Sequence, residues 1–96
     1  MYAVVRTYSG PGANELFELL EQRKAEVDDL IRPISGFVSY LLIRTDDGGV
    51  TVTVCEDKTG TDESIQVARD WIQANASDLE VNPPSISEGQ VSLHLS

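Results

Sequence analysis

Cysteine, histidine and tryptophan occur once each in these 96 residues, and seven basic residues face sixteen acidic ones. Each scarcity excludes something. The single cysteine, Cys55, rules out an internal disulfide and a cysteine metal cluster, and it suits a reducing compartment such as the cytoplasm. The net charge of −9 sets the molecular field against phosphate backbones and anionic headgroups, so neither nucleic acid nor a membrane surface is an expected partner. The longest uncharged apolar run, Phe37 to Ile43, is far shorter than the ~20 residues a spanning helix needs. The opening Met1-Tyr2-Ala3-Val4-Val5-Arg6 lacks a basic lead and a cleavage site and already reads as a strand. A soluble, cytoplasmic protein without a signal peptide is expected.

What is present is an order of elements. Tyr2 to Tyr8 mixes β-branched and aromatic residues and stops at Ser9-Gly10-Pro11-Gly12. Asn14 is the expected cap of a helix in which Leu16, Leu20, Val27, Leu30 and Ile31 recur at helical spacing, ended by Pro33. Phe37 to Thr45 and Val50 to Glu56 form two strands joined by a hairpin at Asp46-Asp47-Gly48-Gly49. Thr61 is the expected cap of a second helix, with Ile65, Ala68, Ile72 and Ala76 on one stripe and Trp71 beside it, ending near Asn75. Ser77 to Ser87 is an extended connection, and Val91, Leu93 and Leu95 alternate with Ser92 and His94 in a last strand. The whole chain, residues 1–96, is then one α+β domain of ferredoxin-like βαββαβ order, a four-stranded antiparallel sheet with two helices on one face.

Hairpin register sorts the faces. If Thr45 faces Val50, then Leu41, Ile43, Val52 and Val54 share an all-aliphatic side, which is expected under the helices. Val38, Tyr40, Leu42 and Cys55 fall on the other side, left to solvent in a monomer. Large apolar patches mark interaction surfaces, so a homodimer packed through the helix-free face is expected.

Three stretches carry a family resemblance: Tyr2 through Tyr8; Pro33-Ile34-Ser35-Gly36-Phe37-Val38-Ser39-Tyr40; and Val54 through Asp57, Thr59, Glu63, Ser64, Ala68 and Trp71. Together they resemble the dimeric α+β barrel superfamily, in particular its small domains related to antibiotic-biosynthesis monooxygenases (ABM-like domains). The resemblance implies a dimeric α+β barrel, and its members include oxygenases, haem-degrading enzymes and isomerase-like proteins. Haem-oxidising relatives place an asparagine on the first strand, a tryptophan at the end of the third and a histidine on a later helix. This chain has Arg6, Thr7 and Tyr8, then Cys55-Glu56-Asp57, and no histidine on its second helix, which disfavours haem breakdown. Cofactor-free oxygenases of the superfamily, which hold a phenolic substrate in an aromatic, polar pocket, are the better match.

No motif fixes a chemistry. Gly10-Pro11-Gly12 lacks the glycine spacing and lysine of a phosphate loop. Asp46-Asp47 is turn chemistry and Glu56-Asp57 a solvated strand end, so no metal site is expected. Cys55 has no basic neighbour in sequence and is expected to be an inert thiol. Arg6 interrupts an apolar strand and needs either an ion-pair partner or an anionic ligand. The weak catalytic candidates are therefore Arg6, Tyr8 and His94, the last as a near-neutral base. Tyr40 and Trp71 are the weak ligand-binding candidates. The first expectation is a small dimeric binding or accessory module without established activity and without a cofactor. Its alternative is a cofactor-independent monooxygenase acting on a phenolic or other aromatic small molecule.

Overall fold

A computed structural model describes residues 1–96. Strands β1 (Tyr2–Ser9), β2 (Phe37–Thr45), β3 (Gly48–Cys55) and β4 (Ser85–Gln90) form one sheet in the order β2-β3-β1-β4, and every adjacent pair is antiparallel. Helices α1 (Ala13–Gln22), α2 (Lys24–Ile31) and α3 (Lys58–Asn75) complete the expected ferredoxin-like order, with a 3-10 turn at Ser77–Leu79.

The first helical stretch is two helices rather than one. Arg23 leaves the helical region at φ −115° and ψ 37°, although its N–H still bonds the Leu19 and Leu20 carbonyls. Its guanidinium donates to Asn75 Oδ1 at 3.1 Å and lies 5.9 Å from the centre of the Trp71 ring. Contacts to α3 therefore hold the break, and nothing in the local sequence announces it. Gly12, left-handed at φ 81°, stands where Asn14 was expected to cap α1, and no side chain caps that end. Asp57, not Thr61, caps α3, accepting the Thr59 N–H at 3.1 Å. Thr61 instead lies buried in the first turn, its hydroxyl donating to the Lys58 carbonyl.

The hairpin turns on Asp46 and Asp47 alone, so that Thr45 faces Gly48 and Ile43 faces Val50. This register is two residues tighter than expected, and the even shift keeps the side chains from Ser39 to Thr45 on their own sides. Gly48 and Gly49 are strand residues, not turn residues, because α1 lies directly over them. A β-carbon at Gly49 would overlap the Phe17 ring. Gly49→Ala is accordingly expected to destabilise the fold by about 1–3 kcal/mol, as overpacking does, measured as a lower denaturation midpoint at unchanged slope.

The two faces are assigned the other way round from the sequence expectation. Val4, Arg6 and Tyr8 of β1, Thr51, Thr53 and Cys55 of β3, and Tyr40 and Leu42 of β2 lie beneath the helices, against Leu16, Phe17, Leu20, Val27, Ile31 and Trp71. Leu41 and Ile43, expected under the helices, are 56% and 42% exposed. The helices bring most of the apolar bulk themselves, so the sheet beneath them needs short or hydroxyl-tipped side chains, which the threonines and Cys55 supply. A bulge between Phe37 and Ser39 turns Phe37 to the helix side together with Tyr40 and leaves Val38 at the surface. The helix-free side is a flat rank of Ala3, Val5, Val50, Val52 and Val54 flanked by Leu41 and Ile43, aligned by the pairs Val5↔Val52↔Leu41 and Thr7↔Val50↔Ile43.

The last strand also falls earlier than expected. Gln90 pairs with Tyr2 and the Val91 N–H bonds the Met1 carbonyl, the last rungs of the pairing. Ser92 to Ser96, including His94, therefore lie beyond the sheet, with Leu93 and Leu95 exposed. The polar strand Ser85–Gln90 is held instead by β1 and by Lys58, whose ammonium reaches Glu88 at 3.0 Å and Asp62 at 2.8 Å.

Candidate functional site

Alternation in β1 aims Arg6 and Tyr8 at the helices, two residues apart on one side. Above them α3 crosses, and the segment Val81–Pro84 closes the edge beside β4. Between these elements lies a cavity of about 330 Å³, floored by Arg6 and Tyr8 and walled by Ile65, Arg69, Ile72 and Gln73 of α3 and by Val81, Asn82, Pro83, Pro84 and Ile86. Its lining mixes aliphatic residues and prolines with two arginines, Arg6 and Arg69.

Arg6 dominates its electrostatics. It is only 2% exposed, its Nε donates to Thr51 Oγ1 at 3.0 Å, and one terminal nitrogen lies 3.5 Å from the Ser64 carbonyl. Both partners are neutral. Ion pairs engage Arg23, Arg32, Arg44 and Lys58, whereas Arg6, Arg69 and Lys24 have none. Of the two accounts the sequence leaves for Arg6, the ion pair is therefore absent, although the chain has sixteen carboxylates. A buried cation without a counter-ion carries a large desolvation cost, and this one lies in the lining of the cavity.

Tyr8 and Tyr40 flank this charge. Burial pushes both phenols above their usual 10.0, and Arg6 opposes that shift in each. Tyr8 therefore stays protonated at neutral pH, a neutral donor beside a cation. The sign of the stability effect follows. Above pH 10 the unfolded tyrosines lose protons that the native ones keep, so the native state binds more protons and stability falls as pH rises. Denaturation curves taken across that range are expected to show this fall, and Tyr8→Phe to reduce it.

The structure thus brings Arg6 and Tyr8 together in one cavity. Arg6, Tyr8, Tyr40 and Trp71 together line a small crevice of about 20 Å³, and Tyr40 also borders a second depression of about 380 Å³ between α1, α2 and β2. That depression is largely self-neutralised, since Glu21 pairs with Arg44 and Asp28 with Arg32. Trp71 lines the same crevice, its indole N–H donating to Glu26 Oε2. His94 lies exposed in the tail and lines none of these spaces. Cys55 is fully buried, and burial, with Glu63 and Asp57 nearby, pushes its thiol up, as suits an unreactive group.

Arg69, Gln73 and Asn82 escaped the sequence reading. Arg69 had a usable signal: it sits four residues after Ile65 and three before Ile72, at the exposed edge of the helix's apolar stripe. Asn82 had none, because nothing local reveals what a Pro-Pro segment covers.

No protein-family model matches the chain, and no curated protein matches it. Solved structures do. A protein of unknown function from Nitrosomonas europaea superposes with a TM-score of 0.71 at 19% identity, covering 99% of this chain and 91% of that one. The haem-degrading protein MhuD of Mycobacterium tuberculosis, with two haems bound in its active site, gives a TM-score of 0.69 at 17% identity over 100% of both chains. A monooxygenase of Streptomyces coelicolor in complex with nanaomycin D gives 0.61 at 20% identity, covering 99% of this chain and 91% of that one. These likenesses show the ferredoxin-like α+β fold that the sequence had suggested.

Proposed function

We propose that the chain is a cofactor-independent monooxygenase that takes a phenolic small molecule as its anion in the Arg6 cavity. The observation that carries this reading is a buried Arg6 without a carboxylate partner in the lining of that cavity, beside the protonated Tyr8. A phenol bound there is favoured in its ionised form, because the anion supplies the missing counter-ion. No separate base is then needed, which matters in a lining with neither carboxylate nor imidazole. An electron-rich phenolate is itself the reductant. With dioxygen it forms a ring hydroperoxide, which loses water to leave a quinone, so that one oxygen atom stays on the product. The phenolic and ring protons leave in the water. Arg6 holds the oxyanion, and the Tyr8 hydroxyl stands as a donor to the departing oxygen.

The monooxygenase likeness supports this choice as analogy of fold. Haem, which the mycobacterial protein binds, does not suit the cavity. The lining has no imidazole, thiolate or thioether, and burial opposes the tyrosinate form that Tyr8 would need as an iron ligand.

Titration with a nitrophenol, at a pH below its own pKa, tests the binding step. The phenolate absorption band is expected to grow on binding, and uptake of the neutral form would overturn the reading. Oxygen consumption with a panel of naphthols and hydroquinones tests turnover. Phenolate binding without consumption would instead support a second reading, a binding module, which the absence of a general base from the lining favours.

The functional unit in this proposal is a homodimer. The aliphatic helix-free face is the surface that a second copy would cover.

A further inference from the structure

We infer that the phenol taken by the Arg6 cavity carries a second acidic group, a carboxylate, and that Arg69 is the residue that selects for it. The substrate class, which rests on the phenolate reading above, is then that of hydroxyaromatic acids.

Charge in this chain is lopsided, and the cavity runs against it. Sixteen acidic residues give a net charge of −9, yet the lining holds two arginines and no carboxylate. Of the seven basic residues, Arg23, Arg32, Arg44 and Lys58 are paired with acids; of the other three, Arg6 and Arg69 both line this one space. A single bound phenolate answers only one of them.

The two arginines also meet water differently. Arg6 is 2% exposed and tied to Thr51 and Ser64, whereas Arg69 is exposed and pairs with no acid. Its cavity neighbours one turn away on α3, Ile65 and Gln73, are neutral, and so is Asn82 across the space. The Arg69 charge is nevertheless felt inside: burial raises the Tyr8 phenol, and Arg6 and then Arg69 oppose the rise. The phenolate therefore belongs at the buried arginine. A carboxylate, which keeps part of its water at an exposed site, belongs at Arg69, whose planar fork matches both of its oxygens.

A nitrophenol bearing a para acetate arm, compared with the same nitrophenol bearing the neutral acetamide arm, tests this at a pH where the arm is ionised and the phenol is not. The wild-type protein is expected to bind the acid about fivefold more tightly at low ionic strength, the upper range for an ion pair open to solvent, and to lose that preference as salt is added. Its net charge by itself repels an added negative group, so without this site the order would reverse. Equal affinity, or preference for the amide, would overturn the proposal. Arg69→Gln is expected to bring the ratio to one or below, and Arg69→Lys to keep part of it; a preference that survives Arg69→Gln would equally overturn it. Growth of the phenolate band with the amide reports on Arg6 alone. If neither compound gives the band, the phenolate reading falls and takes the acid class with it, whereas a band with both at equal affinity removes only the carboxylate.

Discussion

Arg6→Met is expected to make the ligand-free protein more stable and to abolish phenolate binding, two effects of opposite sign from one substitution. The stability gain comes from removing a buried cation that no carboxylate neutralises and replacing it with an apolar side chain of similar length. Replacement of buried ionic groups by hydrophobic ones is often stabilising by about 1–4 kcal/mol. For a domain of this size each kcal/mol raises Tm by about 4–8 °C. Loss of the hydrogen bonds to Thr51 and Ser64 reduces the gain without reversing it, since both partners are neutral acceptors. On the ligand side, removing one member of a buried charge pair costs about 2–5 kcal/mol, or roughly 30-fold to several thousand-fold in Kd. Arg6→Lys keeps the charge but loses the planar fork, so its affinity should fall between the two. Calorimetry and the nitrophenol titration on the same preparations read both quantities. If stability and binding fall together, Arg6 is a structural residue and the cavity loses its claim to an anion.

That opposition is also what made Arg6 legible. A charge inside an otherwise β-branched strand stood out before any coordinates, as did the strand ends at Ser9 and Thr45 and the helix end ahead of Pro33. These features follow from local backbone chemistry, which the chain displays residue by residue. The misjudged features depend on what packs above. Gly48 and Gly49 resemble turn residues until α1 is laid on them, when they become the clearance for Phe17. The aliphatic face of the hairpin resembles core by hydrophobicity, whereas the helix side needs the smaller threonines and Cys55 for fit. The break at Arg23 is set by Trp71 and Asn75, about fifty residues away in sequence, beyond the reach of local periodicity. His94 was placed in a strand because Val91 to Leu95 alternates, and alternation says nothing of whether a partner strand extends far enough to pair with it.

The corrected face assignment sharpens the dimer proposal, and Val52→Asp is the substitution with the largest expected effect on it. Val52 stands at the middle of the helix-free rank, paired with Val5 on one side and Leu41 on the other. In a two-fold dimer a substitution at the centre of the shared face enters the interface twice. Each carboxylate would be taken from water into aliphatic surroundings with no cation on that face to receive it, at a cost of several kcal/mol per ion. The dimer Kd is therefore expected to rise by at least about a hundredfold, equivalent to about 2.7 kcal/mol. Analytical ultracentrifugation should show dimer for the wild-type protein and monomer for the variant at the same concentration, with Val52→Thr remaining dimeric. Thermal unfolding gives a second reading, because the Tm of a dimer rises with protein concentration and that of a monomer does not. The Arg6 cavity lies on the opposite side of the sheet, under α3, so the monomeric variant is expected to keep its affinity for phenolate within a few-fold. A wild-type protein that sediments as a monomer with concentration-independent Tm would leave the aliphatic face unexplained and remove the dimer from the proposal. The same result would leave Arg6, Tyr8 and their cavity standing, since no residue of that lining comes from the helix-free side.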